Sequence, residues 1–172
     1  AGLSAPVHAV AATHEAARSA AGRIGWPVVV KPVDRDRGEG VTVDVADDQK
    51  LQKAFDEAVR HSTARQAIIE RQVDGVCHRL FVANGKLLYA VKRLPMSVFG
   101  DGRQTVAELV AGEFAAQQRL PPWARSEIRP LDEMALAAMA AAGFAASSIP
   151  DIGTRVPLRR IESTEWGGVD EE

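Results

Sequence analysis

The residues best placed to do chemistry lie between Val28 and Val41. There Val28-Val29-Val30 runs into Lys31-Pro32 and then into Val33-Asp34-Arg35-Asp36-Arg37-Gly38-Glu39-Gly40. A continuous β-branched run reads as a buried strand, and this one delivers an ammonium at its end. The charged segment with Gly38 and Gly40 has the composition of a loop. Together they suit phosphate: the lysine supplies charge, and backbone N–H groups approach oxygens closely where no Cβ intervenes. The same residues also fit a β-hairpin with a solvated tip, and a short glycine-rich motif leaves both readings open.

Other groups narrow the chemistry. Arg35, Arg37, Arg79, Lys92 and Arg93, with Glu70 at the end of an apolar run, make a basic and polar set. Cationic clamps of this kind stabilise transferring phosphoryl groups, although each residue alone also fits a solvated surface charge. His8, His14, His61 and His78 are scattered, with no His-x-x-x-His or Cys-x-x-Cys spacing for zinc. Cys77 and His78 are neighbours in an expected strand and point to opposite faces, which argues against a nucleophilic pair and for Cys77 as a small packed residue. There is no Gly-x-Ser-x-Gly elbow, no Gly-Lys-Ser/Thr and only a fragment of the dinucleotide fingerprint.

The elements that must position these groups can be read from pattern. Thr13 caps a helix with Ala16, Ala17, Ala20 and Ala21 on one face, ending between Gly22 and Gly25. The strand 28–30, the loop 34–40 and an alternating strand 41–45 follow. Asp47 opens a helix with Leu51, Phe55, Ala58 and Val59 on one face. A short strand over 67–70 leads to a turn at Val73-Asp74-Gly75, and strands 78–83 and 86–93 are joined by Asn84-Gly85, a strong hairpin signal. Pro95 to Gly102 reads as a linker, Thr105 caps a helix through Leu109 and Phe114, and 119–130 is proline-rich and irregular. A helix over 134–144 closes at Gly143, and Val156 and Leu158 suggest a last strand. Paired strands with helices on one face make an α+β chain, divided as a first lobe over 1–94 and a linker with part of a second lobe over 95–172.

Composition sets outer limits. The 172 residues are 46% hydrophobic and 26% charged, with a net charge of −2, an ordinary globular balance. Nothing in it argues for nucleic acid or an acidic membrane as partner. One cysteine forms no internal disulfide, no apolar run approaches the roughly 18 residues of a membrane span, and there is no secretory signal pattern; the expected compartment is the cytoplasm. Both ends read as cut.

The order of these blocks resembles a known family. Ile24-Gly25-Trp26-Pro27-Val28-Val29-Val30-Lys31-Pro32, the glycine-containing loop, Ile68-Ile69-Glu70-Arg71, Gly75 and Arg79 resemble the ATP-grasp fold. More specifically, Val91-Lys92-Arg93-Leu94-Pro95 followed by Gly100-Asp101-Gly102-Arg103-Gln104-Thr105-Val106-Ala107-Glu108-Leu109 is similar to the ATP-grasp region of cyanophycin synthetases. So is the tail from Ile149-Pro150 through Gly153, Val156-Pro157-Leu158-Arg159 and Ser163-Thr164 to Gly167-Gly168.

The resemblance implies an ATP-dependent carboxylate–amine ligase working through an acyl phosphate on amino-acid or peptide substrates. By it, Lys31 contacts nucleotide phosphate; the loop with Arg37, Gly38 and Gly40 closes over the phosphates; the strand end Glu70–Val73 meets the adenine. Arg79 and Arg93 stand near the phosphates or the acceptor. ATP and Mg2+ are the implied cofactors.

Three departures stand out. Glu39 replaces a basic loop residue, one loop glycine is missing, and Cys77 takes the place of an acidic ribose ligand. The family's Glu-x-Asn magnesium ligands are expected downstream of Glu172 and a further ATP-binding lysine upstream of Ala1. The expectation is therefore a central fragment, inactive as an isolated chain. A non-catalytic nucleotide-binding or interaction module is the alternative, and a structural domain without ligand a third reading. The alanine-rich helices leave a homo-oligomer open.

Overall fold

The structure is a computed structural model that describes residues 4–36, 38–125, 131–162 and 168–171. It divides into two compact units, Ala1–Gly75 and Val76–Glu172. The hairpin grouped above with the first lobe falls in the second unit.

The first unit is one antiparallel sheet and two helices. In chain order they are β1 (His8–Ala11), α1 (His14–Ile24), β2 (Val28–Pro32), β3 (Thr42–Val45), α2 (Asp48–His61) and β4 (Ala67–Arg71). The strand order is β1-β4-β2-β3. Alternation along β2 and β4 decides the faces: Val28, Val30, Ala67 and Ile69 are buried, while Val29, Lys31, Ile68 and Glu70 are half-exposed. The buried set shares one core with Ala17, Ala20, Ala21 and Ile24 of α1 and Leu51, Ala54, Phe55 and Ala58 of α2. Both helices therefore cover one face. Burying a side chain the size of Ile69 contributes about 1.5–3 kcal/mol.

Local chemistry starts the helices where expected. The Thr13 hydroxyl accepts the Ala16 amide at 3.2 Å and the Asp47 carboxylate accepts the Lys50 amide at 2.8 Å. Ile24 is the last residue of α1, capped by Gly25 at φ 90°. Strand β1 was not anticipated. His8-Ala9-Val10-Ala11 carries little β signal of its own and is a strand because all four residues pair with β4, from His8 opposite Glu70 to Ala11 opposite Ala67.

In the second unit, β5 (His78–Ala83) and β6 (Lys86–Leu94) form the expected hairpin. Asn84 and Gly85 both have positive φ, 49° and 73°, as a tight turn of this kind requires. Strand β7 (Ser97–Phe99) lies inside the stretch read as a linker. It pairs with β8 (Arg155–Pro157), and a third strand, β9 (Val169–Glu171), pairs with β6. Helices α3 (Val106–Gln118) and α4 (Glu133–Ala141) pack Val106, Val110, Ala135 and Met139 against Met96, Val98, Val156 and Leu158. Helix α4 ends at Ala141, and Gly143, the expected end mark, follows with φ 82° and turns the chain out of the helix. Among the described residues no helix is long and apolar enough to cross a membrane.

The Gly100–Leu109 block that marks the resemblance is a packing and capping device. Gly100 donates its amide to the Thr154 carbonyl and accepts from the Gly153 amide, both at 2.8 Å. The Asp101 carboxylate accepts the Arg103 and Gln104 amides at 2.8 and 2.7 Å. Thr105 and Glu108 form a reciprocal capping box at the start of α3. Farther along, the buried Arg159 guanidinium donates to both oxygens of Asp132, at 3.1 and 2.8 Å, and the same carboxylate caps α4 through the Ala135 amide.

Candidate functional site

The face of the first sheet turned away from α1 and α2 gathers the chemistry. Cross-strand partners share a face. His8 and Val29 stand opposite Glu70, and Val10 and Lys31 stand opposite Ile68. The result is an apolar floor of Val10, Val29 and Ile68 carrying the charges of Lys31 and Glu70. Among the described residues of this unit no helix covers it.

Lys31 and Glu70, 39 residues apart in sequence, meet here. The ammonium donates to both carboxylate oxygens, at 2.9 and 3.0 Å. The side chains are 33% and 21% exposed, so the pair is shielded enough to hold its geometry yet open to a ligand from the uncovered side. The strand pairing places the two residues diagonally across β2 and β4, which is within reach of long side chains.

The segment after β2 is fastened along its base. Val33 donates its amide to the Gln66 carbonyl at 3.3 Å, Asp34 accepts the Ala64 amide at 2.9 Å, and Arg35 donates to the Thr63 hydroxyl at 3.1 Å. The Ala64 amide is the main cause holding the Asp34 carboxyl below the usual range. Glu39, the acidic departure, lies 3.8 Å from the Arg35 guanidinium. Gly38 and Gly40 both adopt positive φ, and a Cβ on Gly40 would lie 2.9 Å from Pro32 Cγ and 3.0 Å from His61 Cβ. Gly40 thus lets the returning chain close onto α2. Arg37 lies outside the described residues.

Val73 follows β4 and is exposed. Arg79 and Arg93 are in the second unit. Arg79 is paired with Val91, which puts Arg93, two residues on, on the same face of the hairpin. The Arg93 amide donates to the Cys77 carbonyl at 2.8 Å. Cys77 is exposed, a correction to the expectation of a packed thiol. It lies one residue before β5, where its carbonyl still pairs with Arg93 of β6 while the residue as a whole stays exposed.

Two residues at the site's edge were not foreseen. Between Val28 and Val30 of β2, the partner strand β3 advances from Val45 to Thr42, one residue more, and so bulges. Asp44, in that bulge, has φ 55°. Its amide donates to Gln72 Oε1 and its carboxylate accepts from Gln72 Nε2, both at 2.7 Å. Neither residue type nor spacing flags a contact between residues 28 apart.

Among the described residues no three His, Cys, Asp or Glu side chains are grouped to hold a metal. A cleft of about 340 Å3 lined by His14, Arg18, Asp48 and Leu51 lies on α1 and α2, on the helical side of the sheet rather than beside Lys31.

In sequence the chain is similar to ATP-grasp ligases. Residues 3–79 match the family described as "Carbamoyl-phosphate synthase L chain, ATP binding domain". Within that class the chain resembles cyanophycin synthetases. The protein from Crocosphaera subtropica is 34% identical over 146 residues, which cover 84% of this chain and 17% of that relative. The one from Synechocystis sp. is 42% identical over 86 residues, 50% of this chain and 10% of its own length. The glutathione biosynthesis bifunctional protein of Streptococcus agalactiae is 29% identical over 147 residues, covering 83% of this chain and 19% of its own. This chain therefore spans less than a fifth of the length of each.

Proposed function

We propose that this chain is the nucleotide-holding part of an ATP-dependent carboxylate–amine ligase, in which Lys31 and its partner Glu70 mark the ATP site. The observation that carries the reading is the Lys31–Glu70 pair on the uncovered sheet face, within the residues that match an ATP binding domain. Similarity to cyanophycin synthetases and to a glutathione biosynthesis protein supports amino-acid or peptide substrates.

In the reaction a substrate carboxylate attacks the γ-phosphorus of ATP, giving an acyl phosphate and ADP. The amine then attacks the acyl carbon, and inorganic phosphate leaves with the C–O bond while the nitrogen loses a proton. Both steps build negative charge on phosphoryl oxygens, which fixed cations stabilise without reorganising. Lys31 is the first of these, oriented by Glu70. Arg37, Gly38 and Gly40 line the phosphate loop, whose fastened base confines movement to its tip. The stretch from Glu70 to Val73 faces the adenine, and Arg79 and Arg93 serve the phosphates or the acceptor. Magnesium accompanies ATP in this chemistry, but the described residues do not fit a magnesium site and none is assigned to it.

The test is titration of the chain with ATP, with and without magnesium, by calorimetry. Micromolar to millimolar binding that Lys31→Ala removes, in a variant whose circular dichroism is unchanged, supports the reading. Absence of binding at millimolar ATP overturns it. The Arg35–Glu39 pair, which offsets one loop cation, favours a second reading in which the nucleotide is held without chemistry. Binding without acyl-phosphate formation, trapped as a hydroxamate in the presence of amino acids, distinguishes it.

A further inference from the structure

We infer that Gln72 and the Asp44 bulge form a positioning clamp that sets the base specificity of the nucleotide site. The inference rests on the ATP-site reading and extends it to a pair of residues that do not touch phosphate.

Three observations converge on the clamp. First, the bulge frees the Asp44 amide from the β2–β3 ladder, and a backbone donor away from the ladder needs a partner; Gln72 supplies it at 2.7 Å. Second, Asp44 holds φ 55°, a backbone conformation that few residues other than glycine, asparagine and aspartate adopt. The second 2.7 Å bond, from Gln72 Nε2 to the Asp44 carboxylate, ties its side chain as well. Third, Gln72 leaves the end of β4 directly beside Glu70 and Val73, the stretch assigned to the base. Its side chain reaches past β2 to β3, the strand that returns from the phosphate loop.

Bulges beside functional sites re-aim the chain. Here the bulge and its glutamine fix where residues 70–73 run, with Arg71 held in addition by hydrogen bonds from its amide to the Val7 carbonyl at 2.8 Å and from its guanidinium to the Ile24 carbonyl at 3.0 Å. A base read by this stretch is discriminated by hydrogen-bond placement, and a site built to pair with one pattern rejects another because its own polar groups are left unpaired. Loosening the clamp should therefore blur ATP against GTP while leaving the phosphate contacts alone.

The experiment uses a swap of chemistry that conserves shape. Gln72→Glu sets a carboxylate against the Asp44 carboxylate. The double variant Asp44→Asn with Gln72→Glu keeps the bond donated by the backbone amide of residue 44 and restores the second bond with donor and acceptor exchanged. Binding of ATP, GTP and inorganic tripolyphosphate is measured for each, with melting temperature as a control.

The expected result is an ATP affinity about tenfold weaker in Gln72→Glu, with GTP and tripolyphosphate unchanged and ATP preference regained in the double variant. Equal weakening of all three ligands, no change in ATP binding, or failure of the double variant to restore it overturns the inference while leaving the ATP site standing. Failure of the unaltered chain to bind ATP overturns the ATP-site reading, and the inference with it.

Discussion

Gly100 lies against the backbone of Asp151: a Cβ built on it would be 2.3 Å from the Asp151 carbonyl oxygen and 2.5 Å from that of Pro150. Real Cβ atoms do not approach backbone oxygens so closely, and backbone on both sides cannot step aside as a side chain would. Gly100→Ala should therefore destabilise the second unit by about 3 kcal/mol, at the upper end of overpacking penalties. Urea unfolding followed by circular dichroism checks this. A loss below about 1 kcal/mol would show that the two segments are not closely packed.

The same substitution should have opposite signs at two glycines of the first unit. Gly22 sits within α1 with nothing within 4 Å of a new Cβ, so Gly22→Ala should stabilise by up to about 1 kcal/mol. Gly40 has φ +65° and would meet Pro32 and His61, so Gly40→Ala should cost about 2 kcal/mol and weaken ATP binding by displacing the loop. Thermal melting of both variants, beside ATP titration, decides the matter.

Asp132 serves α4 and Arg159 at once. Asp132→Asn keeps a good capping side chain but withdraws the charge facing a buried guanidinium; the expected loss is about 2 kcal/mol, reduced from the range for fully buried pairs because Asp132 is 39% exposed. Asp132→Ala loses the cap too and should fall about 1 kcal/mol further. Equal losses by chemical denaturation would mean that the cap contributes nothing.

Acid should loosen both units through three carboxyls. Backbone amides hold each one low: Ala64 for Asp34, Gln104 and then Arg103 for Asp101, and Thr105 for Glu108. Their folded values lie below their unfolded ones, so the unfolded chain binds more protons in acid. The stability they contribute is whole above roughly pH 5 and is lost as pH falls through the folded values. Asp101→Asn, whose amide oxygen can accept the same two amides, should show a shallower loss between pH 5 and 3 in urea midpoints than the unaltered chain. Identical slopes would remove Asp101 from this account.

What the sequence made legible was local. Thr13, Asp47 and Thr105 cap helices because the capping bond spans three residues, and Asn84-Gly85 turns a hairpin because its φ values are a property of those two residues. The core positions of β2 and α2 follow from periods of two and 3.6. What escaped was set by distant partners. His8–Ala11 becomes a strand only beside β4, and Ser97–Phe99 only beside Arg155–Pro157, across a stretch whose prolines and glycines read as a linker. Lys31 reads as a cation and Glu70 as an acid at a strand end, but their mutual bond depends on a register that no local pattern prints. Asp44 and Gln72 gave still less warning, since a bulge is a miscount between two strands and is invisible in either alone.

The glycine-and-aspartate block at 100–109 has a consequence for ancestry. Its residues are occupied with carbonyls, amides and a helix start. Such a block reports descent of a scaffold. A descendant that had lost every step of amide synthesis would feel the same pressure to keep it. A survey that sorts chains by this block therefore sorts them by scaffold.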